Sequence, residues 1–188
     1  MNYSDLLIQR RAVRNYEERD VPLDIIKEMI KESTYAPSAS NTQGWKFLIV
    51  NDRSVMKRIS DECKNNLLTR IRNNPNDYAK RYEKLMLNEE YNVFYNAPCV
   101  VYILGEQKYK NLMVDSAIAA GYFMFAATSR GLGTCWINFA AVIQSKEMLG
   151  ELGIPEDCQI VAPIILGYPK DIPAMPKRKE PEILKIIT

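Results

Sequence analysis

Three arginines lie within five residues near the amino terminus of this 188-residue chain, at Arg10, Arg11 and Arg14. A guanidinium binds a phosphate through two parallel hydrogen bonds and keeps its charge at every physiological pH. The same residues would also suit a solvated helix end, where cations complement the negative end of the helix dipole. A second basic cluster lies at residues 177–179. The two clusters could hold one phosphate together if the tail returned to the start of the chain.

The segment from Pro37 to Trp45 carries the most specific pattern in the chain, with hydroxyl side chains and two carboxamides, Asn41 and Gln43. A carboxamide offers two donors and an acceptor, which suits a planar heterocycle with alternating carbonyl and N–H edges. A structural interpretation also holds, because Ser38 and Asn41 can close turns and Trp45 can belong to the core. Both interpretations stay open at this point.

The composition excludes several kinds of catalytic site. The chain contains no histidine, which removes Ser-His-Asp catalysis, Cys-His catalysis and imidazole zinc ligands. None of the four cysteines forms a Cys-x-x-Cys pair, so a zinc ribbon, a thioredoxin-like pair and an iron–sulfur cluster lack support. We expect four reduced thiols that pack as small hydrophobic groups. Chemistry must therefore come from other side chains, from the backbone or from a cofactor.

The charge and hydropathy patterns restrict the partners and the location. The 25 Lys and Arg residues against 23 Asp and Glu residues give a net charge of +2, which favours neither nucleic-acid binding nor a membrane-surface role. The start of the chain has no apolar signal region. The longest apolar stretch, 112–128, contains Asp115 and predicts a central core helix that is apolar on nearly all sides, not a membrane span. We therefore expect a cytoplasmic protein.

The elements that must position these residues follow one another without strict β-α alternation, which predicts one α+β domain over residues 1–188. Ser4 is expected to cap the first helix, and Pro22 to begin the second. Further helices are predicted at 54–72, 78–90, 112–130 and 145–152, and strands at 45–50, 99–104, 134–139 and 159–166. The tail is rich in proline, and its apolar end at 183–187 needs a partner surface.

Five segments of the sequence, taken together and in their order, resemble the FMN-dependent nitroreductase family. They are Arg-Arg-Ala-Val-Arg at 10–14, Ala-Pro-Ser-Ala-Ser-Asn-Thr-Gln-Gly-Trp-Lys-Phe at 36–47, Asn-Ala-Pro at 96–98, Gly-Leu-Gly-Thr-Cys-Trp at 131–136 and Gly-Tyr-Pro at 167–169. The resemblance covers nearly the whole chain. It implies an α+β, nitroreductase-like fold with a central mixed or antiparallel sheet flanked by helices. It also implies an intertwined homodimer with two FMN sites at its interface.

The resemblance implies a binding role for each matching residue. The implied FMN-binding residues are Arg10, Arg11, Ala12, Arg14, Pro37, Ser38, Ala39, Asn41, Gln43, Ile137, Asn138, Lys177, Arg178 and Lys179. Arg10 and Arg11 would hold the phosphate and the ribityl chain, with help from residues 177–179, and Arg14 would approach the N1 and O2 side of the ring. The loop residues would reach the flavin of the partner subunit, and residues 137–138 would lie near its N5 side. Asp115 is expected to be a structural helix residue.

The function that the resemblance implies is hydride transfer from NAD(P)H through flavin N5 to an electron-poor acceptor, such as a nitroaromatic or a quinone. No catalytic side chain and no metal are needed, and Arg14 would stabilise negative charge at N1 and O2. Similar proteins dehalogenate tyrosine derivatives, fragment the flavin or oxidise azoline rings. A flavin-binding protein without turnover is a further alternative.

Two positions depart from the family pattern, and the stretch 65–95 corresponds to the region that usually varies. Ala12 stands where a small hydroxyl is frequent, which would remove one hydrogen bond to the cofactor. Gly44 stands where proline is frequent, which predicts a looser loop. The stretch 65–95 is expected to cover the substrate face, and the tail 169–188 to wrap the partner. The aromatic residues of the stretch 65–95 either line a pocket or pack as ordinary helix residues. They are Tyr78, Tyr82, Tyr91, Phe94 and Tyr95.

Overall fold

Four antiparallel strands form the centre of the fold in the computed structural model, which describes residues 2–188. The strands are β1 (Trp45–Val50), β2 (Cys99–Glu106), β3 (Gly133–Trp136) and β4 (Cys158–Gly167), in the spatial order β1-β2-β4-β3. The helices are α1 (Tyr3–Gln9), α2 (Leu23–Ser33), α3 (Arg53–Asn73), α4 (Glu83–Met86), α5 (Leu112–Ser129) and α6 (Lys146–Glu151). The predicted α+β class, with an antiparallel sheet flanked by helices, is confirmed.

The sheet is apolar on both faces because helices cover both of them. Successive side chains of a strand point to opposite faces. The even-numbered residues of β2 from Val100 to Leu104 pack in one cluster with Ile59 of α3. The odd-numbered residues from Cys99 to Ile103 pack in a second cluster with α2 and α5. This burial on both faces explains why β2 is a continuous apolar run in the sequence.

Helix α5 buries one face and exposes the other, so the expectation of a wholly central helix is corrected. Phe123 packs against the sheet and is fully buried. The opposite face exposes four apolar residues, Met113, Val114, Ile118 and Tyr122, which we call the α5 stripe. Among residues 2–188, α5 is the one helix long and apolar enough to cross a membrane, by length and composition alone. Within the protein, 44% of this helix is buried.

The first helix begins after Asn2, and the predicted cap at Ser4 is wrong. The Asn2 side-chain oxygen accepts the Asp5 N–H at 2.9 Å, and the Asp5 carboxylate accepts the Asn2 N–H at 3.1 Å. This reciprocal pair is a capping box, which satisfies two N–H groups of the first turn. Pro22 directly precedes α2, one residue from its predicted position.

Strand β3 ends at Trp136, three residues earlier than the pattern predicts. Trp136 still pairs with Ile164 of β4, and the N–H of Ile137 donates to the Pro163 carbonyl oxygen at 2.8 Å. Proline has no N–H to return, so the ladder stops at this point. The chain then turns through a 3₁₀ segment, Asn138–Ala141, which places residues 138 and 139 in a turn and not in the sheet.

The prediction of one continuous helix at 78–90 is wrong. The chain forms a 3₁₀ turn over Tyr78–Tyr82 and the single-turn helix α4, and then a series of turns. The Asn88 side chain accepts the N–H of Glu90 at 3.0 Å, and the Asn92 side chain accepts the N–H of Phe94 at 2.8 Å. Such local asparagine bonds compete with the helical hydrogen bonds and favour turns.

Two glycines let the loop before β1 lie directly on β2. Trp45, the first residue of β1, pairs with Gly105. A Cβ atom on Gly105 would overlap the carbonyl oxygen of Gly44 and would lie 2.5 Å from Cδ1 of Leu112. A Cβ atom on Gly44 would lie 2.8 Å from the ring of Tyr109. The prediction of a looser loop at Gly44 is therefore wrong, because the glycine allows a closer contact.

Replacing Gly105 by alanine is expected to lower the free energy of unfolding by about 1–3 kcal/mol, because the backbone at Gly44 and the side chain of Leu112 must both shift. Urea unfolding measures the change. The matched control is Gly150→Ala in α6, where a new Cβ meets nothing within 4 Å. That substitution is expected to raise stability by about 0.4–1 kcal/mol. Equal effects of the two substitutions would contradict the close packing.

Candidate functional site

The segment 10–14 lies along the edge of the sheet beside β3. Ala12 forms a parallel bridge with Thr134, and the N–H of Val13 donates to the Thr134 carbonyl oxygen at 3.0 Å. The segment 10–14 lies close to β3 because Gly133 has no side chain. A Cβ atom at Gly133 would lie 2.8 Å from the side chain of Val13. The sheet edge therefore fixes the position of the arginines.

Successive side chains of this extended segment point in opposite directions, so Arg11 and Arg14 lie in different cavities. Arg11 and Val13 are buried and line a small cavity of about 80 Å³, together with Gly131 at the carboxyl end of α5. Arg14 is exposed to a larger pocket on the other side. The negative end of the α5 dipole lies next to Arg11 and partly compensates its charge.

The guanidiniums of Arg10, Arg11 and Arg14 have no carboxylate partner within residues 2–188. The Arg10 side chain makes no hydrogen bond or ion pair there, Arg11 donates to the carbonyl oxygen of Arg10 at 2.6 Å, and Arg14 donates to that of Ala12 at 3.4 Å. Four other arginines are paired with acids: Arg53, Arg58, Arg70 and Arg130. Neighbouring unpaired cations repel one another and attract an anion.

A pocket of about 360 Å³ opens beside Arg14, where the end of β3 meets the 3₁₀ turns at 78–82 and 138–141. Its lining residues are Arg14, Tyr78, Tyr82, Tyr95, Trp136, Ile137, Asn138 and Phe139. The pocket thus brings together three residues of the predicted flavin site, Arg14, Ile137 and Asn138. Arg14 is the one charged residue of this lining, so the walls offer mainly ring faces and hydroxyl groups.

Aromatic rings build the wall of the pocket. Tyr78 lies nearly parallel to Phe139, with ring centroids 6.3 Å apart, and Tyr82 meets the same ring edge-on at 5.1 Å. The Arg14 guanidinium carbon lies 5.6 Å from the ring centroid of Tyr95. Tyr78, Tyr82 and Tyr95 line the pocket, as the aromatic-pocket interpretation predicts. Phe94 is fully buried and follows the packing interpretation.

Lys64 of α3 is a buried cation that holds the segment leading into the pocket wall. Its side chain is 8% exposed, and its Nζ donates to three carbonyl oxygens between Asn88 and Tyr91, at 2.8 to 3.4 Å. One turn earlier, Ser60 Oγ accepts the N–H of Val93 at 3.0 Å. Residues four apart are neighbours on a helix surface, so the two side chains act on one stretch of chain.

Glu62 and Asn66, also four residues apart on α3, hold a second wall. Glu62 Oε1 accepts the N–H groups of Gln144 and Ser145, both at 2.8 Å. Asn66 Nδ2 donates to the carbonyl oxygen of Val142 at 2.8 Å. These bonds anchor the chain directly after the 138–141 turn, so α3 positions both irregular segments of the pocket.

Sequence analysis missed the four anchoring side chains of α3. The buried stripe of this helix runs at helical spacing from Met56 to Ile71, and both Ser60 and Lys64 lie on it. A lysine on a buried stripe must find acceptors. That position was the available signal, but the sequence does not show which carbonyl oxygens are within reach.

Asp115 of α5 fastens the loop 36–44 to the core. Its carboxylate is 7% exposed and accepts the N–H of Ala39 through both oxygens, at 3.2 Å. Within the loop, Ser38 Oγ accepts the N–H of Gln43 at 3.0 Å. Gln43 in turn donates from Nε2 to Asn41 Oδ1 at 3.0 Å. The expected structural role of Asp115 is confirmed.

The loop 36–44 is strained and does not line the pocket beside Arg14. Ser40, Asn41 and Gln43 have φ angles of 53°, 53° and 48°, in the left-handed region that costs a non-glycine residue free energy. The predicted loop residues Pro37, Ser38, Ala39, Asn41 and Gln43 are absent from the pocket lining. Ala39 lines a separate cavity of about 140 Å³ beside Tyr109.

The tail returns to the arginine segment only in its first residues. The N–H of Lys170 donates to the Asn15 carbonyl oxygen at 3.1 Å, and Ile172 lines the small cavity with Arg11. Residues 173–188 are exposed and have no helix or strand. Lys177, Arg178 and Lys179 make no hydrogen bond or ion pair in the described part of the chain. One chain therefore does not join the two basic clusters.

The four cysteines provide no reactive thiolate. All are buried and free, as expected. Burial raises the pKa of the Cys63 thiol to about 12, and nearby Glu62 acts in the same direction. Burial also raises the pKa of Cys135, although the charges of Arg14 and Arg10 act in the opposite direction. Over residues 2–188, no group of acidic or cysteine side chains could hold a metal ion.

Comparison with known sequences identifies relatives along most of the chain. Residues 7–168 match the model of the nitroreductase family. The chain is 27% identical to a putative NADH dehydrogenase/NAD(P)H nitroreductase of Archaeoglobus fulgidus, over 88% of this chain and 84% of that protein. It is 25% identical to an iodotyrosine deiodinase of Thermotoga neapolitana, over 94% of this chain and 91% of that protein.

Solved structures share the fold. A nitroreductase with bound FMN from Bacteroides fragilis matches with a TM-score of 0.84 at 24% identity, over 100% of both chains. An oxidized iodotyrosine deiodinase bound to FMN and 3-iodo-L-tyrosine matches with a TM-score of 0.78 at 23% identity, over 98% of this chain and 99% of that chain. At these identities the likeness shows a common fold.

Replacing Lys64 by methionine is expected to lower the free energy of unfolding by about 1–3 kcal/mol, because three carbonyl oxygens lose their charged donor. Amide hydrogen exchange over residues 88–95 should accelerate more than elsewhere. The matched control is Lys57→Met on the same helix, where an exposed lysine pairs with Asp61 at 2.9 Å. Its loss should change stability by about 0.5 kcal/mol or less. Similar exchange rates in both variants would contradict an anchoring role for Lys64.

Proposed function

The chain belongs to the nitroreductase family, and from that premise we propose that it is an FMN-dependent oxidoreductase that transfers a hydride from NAD(P)H to an electron-poor acceptor. The observation that carries the proposal is that Arg10, Arg11 and Arg14 have no acidic partner within residues 2–188 and that Arg14 lines an open aromatic pocket. FMN combines an anionic phosphate with a planar ring, so one ligand would meet both features.

The residues at this edge of the sheet fit such a ligand. Arg10 and Arg11 would hold the phosphate and the ribityl chain, and Arg14 would lie at the N1 and O2 side of the ring. Thr134 Oγ1 and Trp136 Nε1 of β3 are buried, and both lack a hydrogen-bond partner in residues 2–188. Unsatisfied buried polar atoms are rare in native proteins and call for a further partner.

The chemistry assigned to the chain itself is limited to binding, orientation and electrostatics. FMN, when bound, supplies a hydride acceptor and donor at its N5 atom. For a nitro acceptor the balanced reaction is NAD(P)H + H⁺ + R–NO₂ → NAD(P)⁺ + R–NO + H₂O. The fixed charge of Arg14 would stabilise negative charge at N1 and O2. Protons would come from solvent, because the pocket lining contains no histidine, carboxylate or lysine.

A homodimer is part of the proposal. The α5 stripe, Met113, Val114, Ile118 and Tyr122, is an exposed apolar row at helical spacing, and such rows mark interaction surfaces. A second copy could supply the loop 36–44, which does not reach the pocket of its own chain. It could also cover the exposed apolar tail end at 183–187.

Light scattering is expected to give a mass of twice 21.6 kDa for the purified protein. Ile118→Glu should yield monomers, because a carboxylate would be buried without a partner in the α5 interface. Leu87→Glu, at another exposed apolar residue outside α5, is the control and should stay dimeric. A monomeric parent protein would contradict the dimer.

Reductive dehalogenation of a halogenated phenol is the second candidate function. The tyrosine wall of the pocket suits a phenolic ring, and an iodotyrosine deiodinase is among the relatives. The lining has no carboxylate to pair with the ammonium group of an amino acid. This absence from the lining favours the nitro or quinone acceptor.

A cytoplasmic location, with its supply of NAD(P)H and reduced thiols, agrees with the four free cysteines.

The proposed function is tested first by cofactor binding. The protein should bind FMN more tightly than riboflavin, which lacks the phosphate. Arg10→Gln should reduce this preference by about tenfold or more, since a charged hydrogen bond contributes roughly 1.5–3 kcal/mol. Arg53→Gln removes an exposed arginine that already pairs with Asp20, and should leave the preference unchanged. Fluorescence quenching of each flavin gives both affinities.

The reaction is tested by anaerobic titration of the FMN-loaded protein with NADH and then NADPH. Bleaching of the visible absorbance, followed by its return on adding a nitroaromatic or a quinone, is the expected result. Return of the colour only with 3-iodo-L-tyrosine would favour dehalogenation. A protein that is colourless after mixing with FMN and removal of the unbound flavin, or that stays yellow with both nicotinamides, would contradict the proposal.

A further inference from the structure

The wall formed by Tyr78 and Tyr82 carries two further arginines outside the residues assigned to the flavin. The Arg70 guanidinium carbon lies 5.5 Å from the ring centroid of Tyr78 and Arg70 is paired with Asp77, whereas Arg81 has no acidic partner within residues 2–188. The Arg81 guanidinium carbon lies 6.0 Å from the ring centroid of Tyr78 and 5.6 Å from that of Tyr82. Its Nε donates to the carbonyl oxygen of Tyr78 at 3.0 Å, which orients the planar group. The two terminal nitrogens have no partner within residues 2–188. They form the fork that binds a carboxylate through two hydrogen bonds.

The acids around this wall are already neutralised. Asp77 pairs with Arg70 at 2.9 Å, and Glu83 pairs with Lys80 at 2.7 Å. Arg81 has no acidic partner in the part of the chain that the structure describes. The uncompensated charge at the Tyr78–Tyr82 wall is therefore positive, and the lining of the pocket adds no carboxylate.

The rings of this wall are open to a ligand. Tyr78 is 53% exposed and Tyr82 is 37% exposed, although Tyr78 stacks on Phe139 and Tyr82 meets the same ring edge-on. Exposed ring faces next to a pocket offer a stacking surface for another aromatic ring. A cation beside them adds attraction for a negatively charged substituent on that ring.

We propose that the pocket selects aromatic acceptors that carry an anionic group, such as a carboxylate, a sulfonate or a phenolate, and that Arg81 is the residue that determines this selectivity. The inference rests on the proposed function and names the substrate class of that same site. The aromatic ring of the acceptor stacks on Tyr78 and Tyr82, while its anionic group binds the terminal nitrogens of Arg81. A cationic acceptor is disfavoured by the same charge.

The test compares 4-nitrobenzoate with 4-nitrobenzamide, which has nearly the same shape and no charge. The FMN-loaded parent protein, Arg81→Gln and Arg72→Gln are assayed for kcat/KM with both compounds. Arg72 is an exposed arginine at the end of α3 that makes no ion pair or ring contact in residues 2–188, so its loss changes the net charge equally. Arg81→Gln should lower the benzoate-to-benzamide ratio of kcat/KM by about fivefold, the size expected for a partly exposed charge pair.

Salt provides a second readout, because exposed charges are screened at high ionic strength. The ratio in the parent protein should fall as salt is raised, while the ratio in Arg81→Gln should change little. The Arg72→Gln ratio should follow that of the parent protein. An unchanged ratio in Arg81→Gln, or an equal fall in Arg72→Gln, overturns the assignment.

Calorimetric binding of the same two compounds without NAD(P)H separates this inference from the proposed function. Tighter binding of 4-nitrobenzoate that depends on Arg81, without any turnover, supports the selectivity and contradicts the proposed reduction. Turnover of both compounds with no preference that depends on Arg81 supports the reduction and overturns the selectivity. Absence of both binding and turnover overturns the selectivity as well.

Discussion

The early end of β3 is the constraint on which the candidate site depends. Pro163 offers its carbonyl oxygen to Ile137 but has no N–H to return, so the strand cannot continue beyond Trp136. The chain must turn there, and the turn brings Asn138 and Phe139 into the pocket lining. On the free edge of the same strand, Gly133 leaves room for Val13 and hence for the arginines on either side of it. One short strand thus places a cationic segment and an aromatic turn next to each other.

Helix α3 performs the complementary task of holding irregular chain in place. The pocket walls consist largely of turns, which have few backbone hydrogen bonds of their own. Side chains at Ser60 and Lys64 bind one wall segment, and Glu62 and Asn66 bind the other. Burying these polar groups is costly unless every one finds a partner, and here each of them does. Aromatic residues on turns can therefore be held in defined positions by a regular element behind them.

Ion pairing distinguishes the arginines that are bound to acids from those whose guanidinium has no acidic partner within residues 2–188. The net charge of +2 does not by itself show which arginines are paired with acids. The structure shows that Arg58, Arg70 and Arg130 are bound to acids, whereas the arginines of segment 10–14 and Arg81 are not. A chain without histidine has few ways to supply its own acid–base chemistry. Unpaired cations around a pocket without carboxylates suit a protein whose role is to bind an anionic cofactor and an aromatic acceptor.

The sequence by itself determined the fold class, the four strands, the long helices and the family, because each depends on local periodicity or on ordered short motifs. The family resemblance also predicted Arg14, Ile137 and Asn138 as residues of a candidate site, whereas the aromatic residues of 65–95 stayed open between a pocket lining and ordinary packing. Only the tertiary structure decided the end of β3, since Pro163 acts across the sheet from a distant part of the chain. The same holds for the end of the segment 78–90, where the Asn88 side chain accepts the N–H of Glu90 and Lys64 of α3 binds the Asn88 carbonyl oxygen. The separation of the loop 36–44 and of residues 177–179 from the pocket was likewise invisible in the sequence. Spacing along a chain indicates which residues share an element, whereas their meeting in space depends on contacts between elements.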